Sequence, residues 1–298
     1  MLIAPMLLHA GLPAAPHDLW RTWRFEPVTI VALAAGAAVY AVGARRLRAH
    51  AGGRRGVPRW RRWCWGSGLA AVAAALLSPL DAAGDALFAA HMVQHLVLII
   101  VAAPLLVLGA PLLPALWAFP AGARRTMGRW WKRSRALRAV AHAAGEPMVV
   151  WGAHVAALWL WHLPLPYQAA LESDVVHALE HASFLGTAVL FWWVVLHPVG
   201  RRRLGWGAAV LYVTAAGMQS AALGAILAFA RTPWYPVQET AALAWGLTPL
   251  EDQQLAGMIM WIPAGVAYLV AAGWCFVEWM RGEDDRRWER ADLVARKP

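Results

Sequence analysis

The stretch ALFAAHMVQHLVLIIVAAPLLVL, Ala86 to Leu108, runs without one charged side chain. Crossing ~30 Å of hydrocarbon takes about 20 helical residues, so this segment reads as a membrane-spanning helix. Working outward, six more stretches share its character: Pro27–Gly43, Cys64–Leu80, Pro147–Leu163, Val175–His197, Leu204–Ala230 and Leu255–Met280. Cys64–Leu80 is the least hydrophobic, being built largely of small residues. Alternating ten-residue segments of the outer-membrane barrel kind are absent, and lipid satisfies no backbone group. The expected fold is therefore all-α: a polytopic membrane protein of about seven helices, with residues 1–298 forming one transmembrane domain.

Composition agrees. The chain is 60% hydrophobic and 15% charged, and its mean hydropathy is +0.47. Its net charge of +10 invites a nucleic-acid reading, but the placement of that charge argues against one. The arginines and lysines cluster between spans one and two (Arg45 to Arg62), three and four (Arg124 to Arg138), and five and six (Arg201 to Arg203), and in the C-terminal tail. Only Arg21, Arg24 and Arg231 of the 27 basic residues fall on the other side. By the positive-inside rule the basic side is cytoplasmic. The N-terminus is then outside and the C-terminus inside, and the 20 Trp suit an interfacial aromatic belt. Met1–Trp20 lacks a positive n-region and is expected to be an outer segment, carrying His9 and His17, rather than a cleaved signal. Cys64 and Cys275 lie near cytoplasmic ends and are expected to be structural thiols.

Ionisable side chains inside spans are costly and mark function. Span three carries His91-Met-Val-Gln-His95, and span five carries His177-Ala-Leu-Glu-His181. Each pair is spaced i, i+4, which sets both imidazoles on one helix face. Two such faces can present four imidazoles to one or two metal ions. Helical rise places both pairs near the outer ends of their spans, where His162, Asp252, Gln219, Met218, Met258 and Met260 also fall. We take His91, His95, His177 and His181 as the main ligands, with His162 and Asp252 as further candidates. Gln94, Glu180, Gln219 and Met258 are expected to stand behind them, orienting or flanking the ligands. His154, mid-span, is as well suited to packing as to ligation. Imidazole suits copper, zinc, iron or nickel, and thioether favours Cu(I). The mixture of His and Met tilts the expected ion toward copper, with zinc as the alternative. Among other features, Asp81 is expected to cap the helix after Ser78-Pro79, and Pro104, Gly109, Pro111 and Pro114 to end span three and lead into the basic loop.

The run Ser78-Pro-Leu-Asp81, His91-Met-Val-Gln-His95 and Pro104-Leu-Leu-Val-Leu-Gly-Ala-Pro111 resembles the CtaG-type cytochrome c oxidase assembly proteins. So do Trp161-His-Leu-Pro164 with Tyr167, His177-Ala-Leu-Glu-His181, and Asp252-Gln-Gln-Leu-Ala-Gly257 with Met260-Trp261. The likeness covers roughly residues 20 to 280. It implies a multi-pass protein of the bacterial inner membrane that matures a haem–copper oxidase. The implied step is copper insertion into the binuclear centre of oxidase subunit II, with a periplasmic copper chaperone as a further partner. The Cys chemistry of the single-span family sharing this name does not carry over.

Four functions compete on the residues: a copper-binding assembly factor, an intramembrane zinc hydrolase with Glu180 or Asp252 as base, a b-type haem protein, and a structural chaperone. The first is preferred, which makes the chain a non-enzyme whose partners are oxidase subunits and membrane lipid, not nucleic acid.

Overall fold

Backbone that cannot bond to solvent bonds to itself, and among the described residues every regular element is a helix. The computed structural model describes residues 16–17, 19–50, 56–196, 204–235 and 239–295. His9, Arg54, Arg55, His197, Arg201, Arg202, Arg203, Arg296 and Lys297, and most of the N-terminal segment, lie outside this set. The helices are α1 (Pro27–His50), α2 (Arg59–Leu76), α3 (Pro79–Ala86), α4 (Phe88–Leu108), α5 (Leu112–Trp117), α6 (Ala121–Arg133) and α7 (Arg135–Ala143). They continue as α8 (Pro147–Trp161), α9 (Pro164–Glu172), α10 (Asp174–Leu196), α11 (Trp206–Ala228), α12 (Glu239–Ala244) and α13 (Pro249–Ala295).

Five of these, α1, α4, α10, α11 and the Pro249–Gly282 part of α13, are long and apolar enough to cross a membrane. Two bent pairs, α2 with α3 (42°) and α8 with α9 (74°), raise the number to seven if each is one span. Both bends fall at prolines. Pro79 and Pro164 each open a new helix, where their missing N–H costs nothing. Ser78 Oγ, not Asp81, caps α3 by accepting the Leu80 N–H at 3.2 Å. The expectation for Asp81 is corrected because its side chain turns inward instead, buried at 6% exposure.

Of the residues expected to end span three, Pro104 does not, since α4 runs through it and stops at Leu108, directly before Gly109. The helix adapts by widening to π-helical winding over Val97–Ala102, so that Ala103 N–H reaches back to Leu98 O. Trp192 of α10 donates its indole N–H to Ile99 O at 2.8 Å, taking up a carbonyl that an undistorted helix would have used.

The core lies among α4, α8, α10, α11 and α13, where Phe88, Met92, Phe184, Phe191, Tyr212 and Tyr268 interdigitate. α11 and α13 approach through Gly224 and Gly257. A Cβ on Gly224 would meet Gly257 O at 2.7 Å, and one on Gly257 would meet Gly224 O at 2.6 Å. Small residues here allow the two backbones to approach closely. The basic connection between α4 and α8 is itself helical, with the exposed α6 and α7 carrying Arg124 to Arg138.

Candidate metal centre

The i, i+4 spacing does what the helical period requires. His91 and His95 leave one face of α4, and their ring centroids are 4.2 Å apart. His177 and His181 leave one face of α10, with centroids 4.3 Å apart. The two faces oppose each other: His91 stacks on His177 at 5.4 Å, and His95 stands edge-on to His181 at 5.3 Å. Glu180 enters between them, its oxygens 3.5 Å from His91 Nε2 and 3.6 Å from His95 Nε2.

These groups are dry. His91 is fully buried, Glu180 is 1% exposed, and only His177 is half-buried. Yet both ring nitrogens of His91 and His95, Nε2 of His177 and His181, and both oxygens of Glu180 have no hydrogen-bond partner. Buried polar atoms without partners each cost about 1–3 kcal/mol, so a set of them converging on one point calls for a ligand. Two overlapping donor groups result: His91, His95 and His181, and His91, His177 and Glu180. Within each, the donor atoms lie within 4.8 Å of one another. Ligands ~2.0–2.2 Å from one ion sit about 3–4 Å apart, so small side-chain adjustments would close either group on a metal. The donor set of imidazoles with one carboxylate fits copper or zinc. Glu180, expected only to orient the ligands, stands among the donors themselves.

The remaining sequence candidates divide. His162, at the end of α8, is buried beside the cluster, its ring 6.5 Å from that of His95. Asp252 joins neither donor group. Its Oδ2 and Oδ1 accept the N–H groups of Phe88 (2.7 Å) and Ala89 (2.9 Å), capping α4, whose own Leu87 offers no side-chain cap. Its neighbours act alike: Gln253 accepts the Trp234 N–H at 2.6 Å, and Gln254 donates to Ala230 O at 3.0 Å. Asp252-Gln-Gln254 is thus a tie between α13 and backbone elsewhere, an allocation that a charged residue near a span end does not announce. Met258 is 43% exposed and turned outward, while Met260 is buried, because two residues of helix rotate a side chain by about 200°. Gln219 is half-buried on α11.

Gln94, expected to orient the imidazoles, hydrogen-bonds to α2 and α3 instead of to a histidine. Its Nε2 donates to Ala75 O (2.9 Å) and to Asp81 Oδ1 (2.6 Å). Asp81 Oδ2 in turn pairs with Arg24 at 2.9 Å, and Arg24 also binds Asp85. Burial works against the Arg24 charge, but the carboxylates of Asp85 and Asp81 outweigh it and push the guanidinium pKa up. Arg24 was, in sequence, merely an exception to the charge bias; here it anchors a chain that runs through Asp81 to Gln94 on the histidine-bearing helix. Met92 also escaped notice as a site residue. It sits between the two histidines of its motif, about 100° around the helix from His91, and packs on His162.

The uncharacterized proteins Mb0105 of Mycobacterium bovis and MT0111 of Mycobacterium tuberculosis are each 27% identical to this chain over 276 residues. The match takes in 89% of this chain but 40% of each relative, so the chain spans less than half their length. No solved structure matches. Residues 38–282, which hold both histidine pairs, His162, Glu180 and the Asp252 tie, match the family described as cytochrome c oxidase caa3 assembly factor (Caa3_CtaG). The chain belongs to that family, the cytochrome c oxidase caa3 assembly factors.

Proposed function

We propose that this multi-pass protein is a copper-binding assembly factor in the bacterial inner membrane. It holds copper near the outer face and delivers it for the binuclear centre of oxidase subunit II. The observation that carries the reading is the meeting of four imidazoles and Glu180 from α4 and α10, with nitrogens and oxygens that nothing else in the protein engages. Membership of an oxidase assembly family supports the destination. The one-sided distribution of arginine supports the orientation.

Copper is cargo here, and cargo must leave. His177 is the least enclosed of the four histidines, so it serves as the exchange point, while His91 and His95 hold the ion from the dry side. Overlapping donor groups that share His91 let an ion pass from one to the other by replacing ligands singly. A periplasmic copper chaperone would load the site and subunit II would unload it.

Metal analysis of the purified protein tests this. Wild type should carry copper, and His91→Ala/His95→Ala should lose the copper held by the imidazoles; equal copper in both rejects the assignment. A second reading, a zinc hydrolase, draws on Glu180, a carboxylate beside a three-histidine group in the arrangement a metal-bound water needs for its base. Stoichiometric zinc with hydrolysis of a lipid amide would favour it.

A further inference from the structure

We propose that Met92 and His162 form a second metal site beside the imidazole cluster, one that takes a soft monovalent ion of the Cu(I) class. His162 Nδ1 lies 2.6 Å from Leu158 O. A carbonyl oxygen only accepts, so Nδ1 carries the proton, and the neutral ring has its lone pair at Nε2. That nitrogen lies 3.2 Å from Met92 Sδ, which is also a lone-pair atom. Two acceptors therefore face each other without a proton between them, and both side chains are buried, at 4% and 1% exposure. A cation between them turns this from a repulsive contact into ligation.

The separation suits one. Nitrogen at ~2.0–2.1 Å and sulfur at ~2.3 Å from a shared ion, subtending about 95–110°, stand about 3.2–3.5 Å apart. A small cavity of about 20 Å³ opens at this point, lined by Met92, His95, His162, Met260, His154 and Tyr268. It holds a second thioether, Met260, and the His95 ring shared with the imidazole cluster. His154 in the same cavity gives the contrast. Thr187 Oγ1 donates to Ser183 O, so His154 Nδ1 donates to Thr187 Oγ1 at 3.1 Å, leaving Nε2 to accept from Tyr268 OH at 3.5 Å. That ring is partnered at both nitrogens, and His162 is not.

Thioether with imidazole selects Cu(I) over zinc or Cu(II), whereas imidazoles with carboxylate accept the harder ions. The protein thus has two adjoining stations of different softness, with His95 between them. The assignment rests on the copper reading only for which ion arrives in the cell; the donors are argued from their own geometry.

The test loads full-length, detergent-purified protein with Cu(I) under anaerobic reducing conditions. X-ray absorption and competition against a chromophoric Cu(I) chelator are then recorded. Wild type should show a sulfur scatterer at about 2.3 Å. Met92→Leu, which conserves volume, should lose that scatterer and bind Cu(I) at least tenfold more weakly, yet keep its zinc stoichiometry at the imidazoles. His162→Gln should weaken Cu(I) binding likewise while eluting as wild type does in size exclusion. Absence of sulfur from the wild-type spectrum, or its persistence in Met92→Leu through Met260, overturns the proposal. Failure of the imidazole reading looks different: His91→Ala/His95→Ala then keeps wild-type copper, whatever Met92→Leu does.

Discussion

Two buried polar regions flank the first turns of α4, and they are built on opposite terms. On one side Asp252 closes the helix N-terminus with two backbone hydrogen bonds, and Arg24, Asp81 and Gln94 form a connected chain; within it, Gln94 Oε1, lying against Gly84, is left without a partner. On the other side six imidazole nitrogens and two carboxylate oxygens have none. Residues of similar chemistry, a few ångströms apart, are either bonded by the protein itself or left without a partner. Burial and ionisability alone do not tell a site from a scaffold. Whether the protein itself satisfies the group does.

That contrast can be broken by mutation. The largest expected effect is in the satisfied region: Asp252→Ala removes two charge-assisted bonds from buried N–H groups and should destabilise the protein by about 3 kcal/mol in detergent unfolding. Copper content lost with stability unchanged would instead make Asp252 a ligand. Next comes the ligand itself. Copper at 100 times its Kd should raise wild-type stability by about 2.7 kcal/mol in thermal unfolding, and should raise that of His91→Ala/His95→Ala by much less.

The third effect has the opposite sign. His181→Leu removes a buried nitrogen that has no partner, so the metal-free protein should gain about 1 kcal/mol while its metal affinity falls tenfold or more. A loss of metal-free stability would place His181 with the architecture. The smallest effect sharpens the boundary: His154→Leu gives up the Thr187 bond and should cost about 0.5–1 kcal/mol, with metal content unchanged.

Much of this was legible before any coordinates. Apolar length alone marks α1, α4, α10, α11 and α13 as membrane-crossing, because the thickness of hydrocarbon sets how many residues a span needs. The i, i+4 pairs were equally legible, since a helix brings such residues to one face whatever surrounds it. The two bends were missed as bends: Ser78-Pro79 and Leu163-Pro164 were read as span ends or turns, whereas each joins two helices that together have the length of one span. Met258 and Met260 could be told apart only as an alternation, with no sign of which one faced inward.

The sequence by itself determined the helices, the faces on which the histidines lie, and the one-sided placement of arginine, because all three depend on local periodicity and on a uniform solvent slab. Only the tertiary structure decided that α4 faces α10, that Asp252 caps a helix 164 residues distant, and that Met92 rather than Met258 meets an imidazole. Those outcomes depend on which helices pack together and at what rotation, quantities set by side-chain shape across the whole bundle and by no stretch of chain alone.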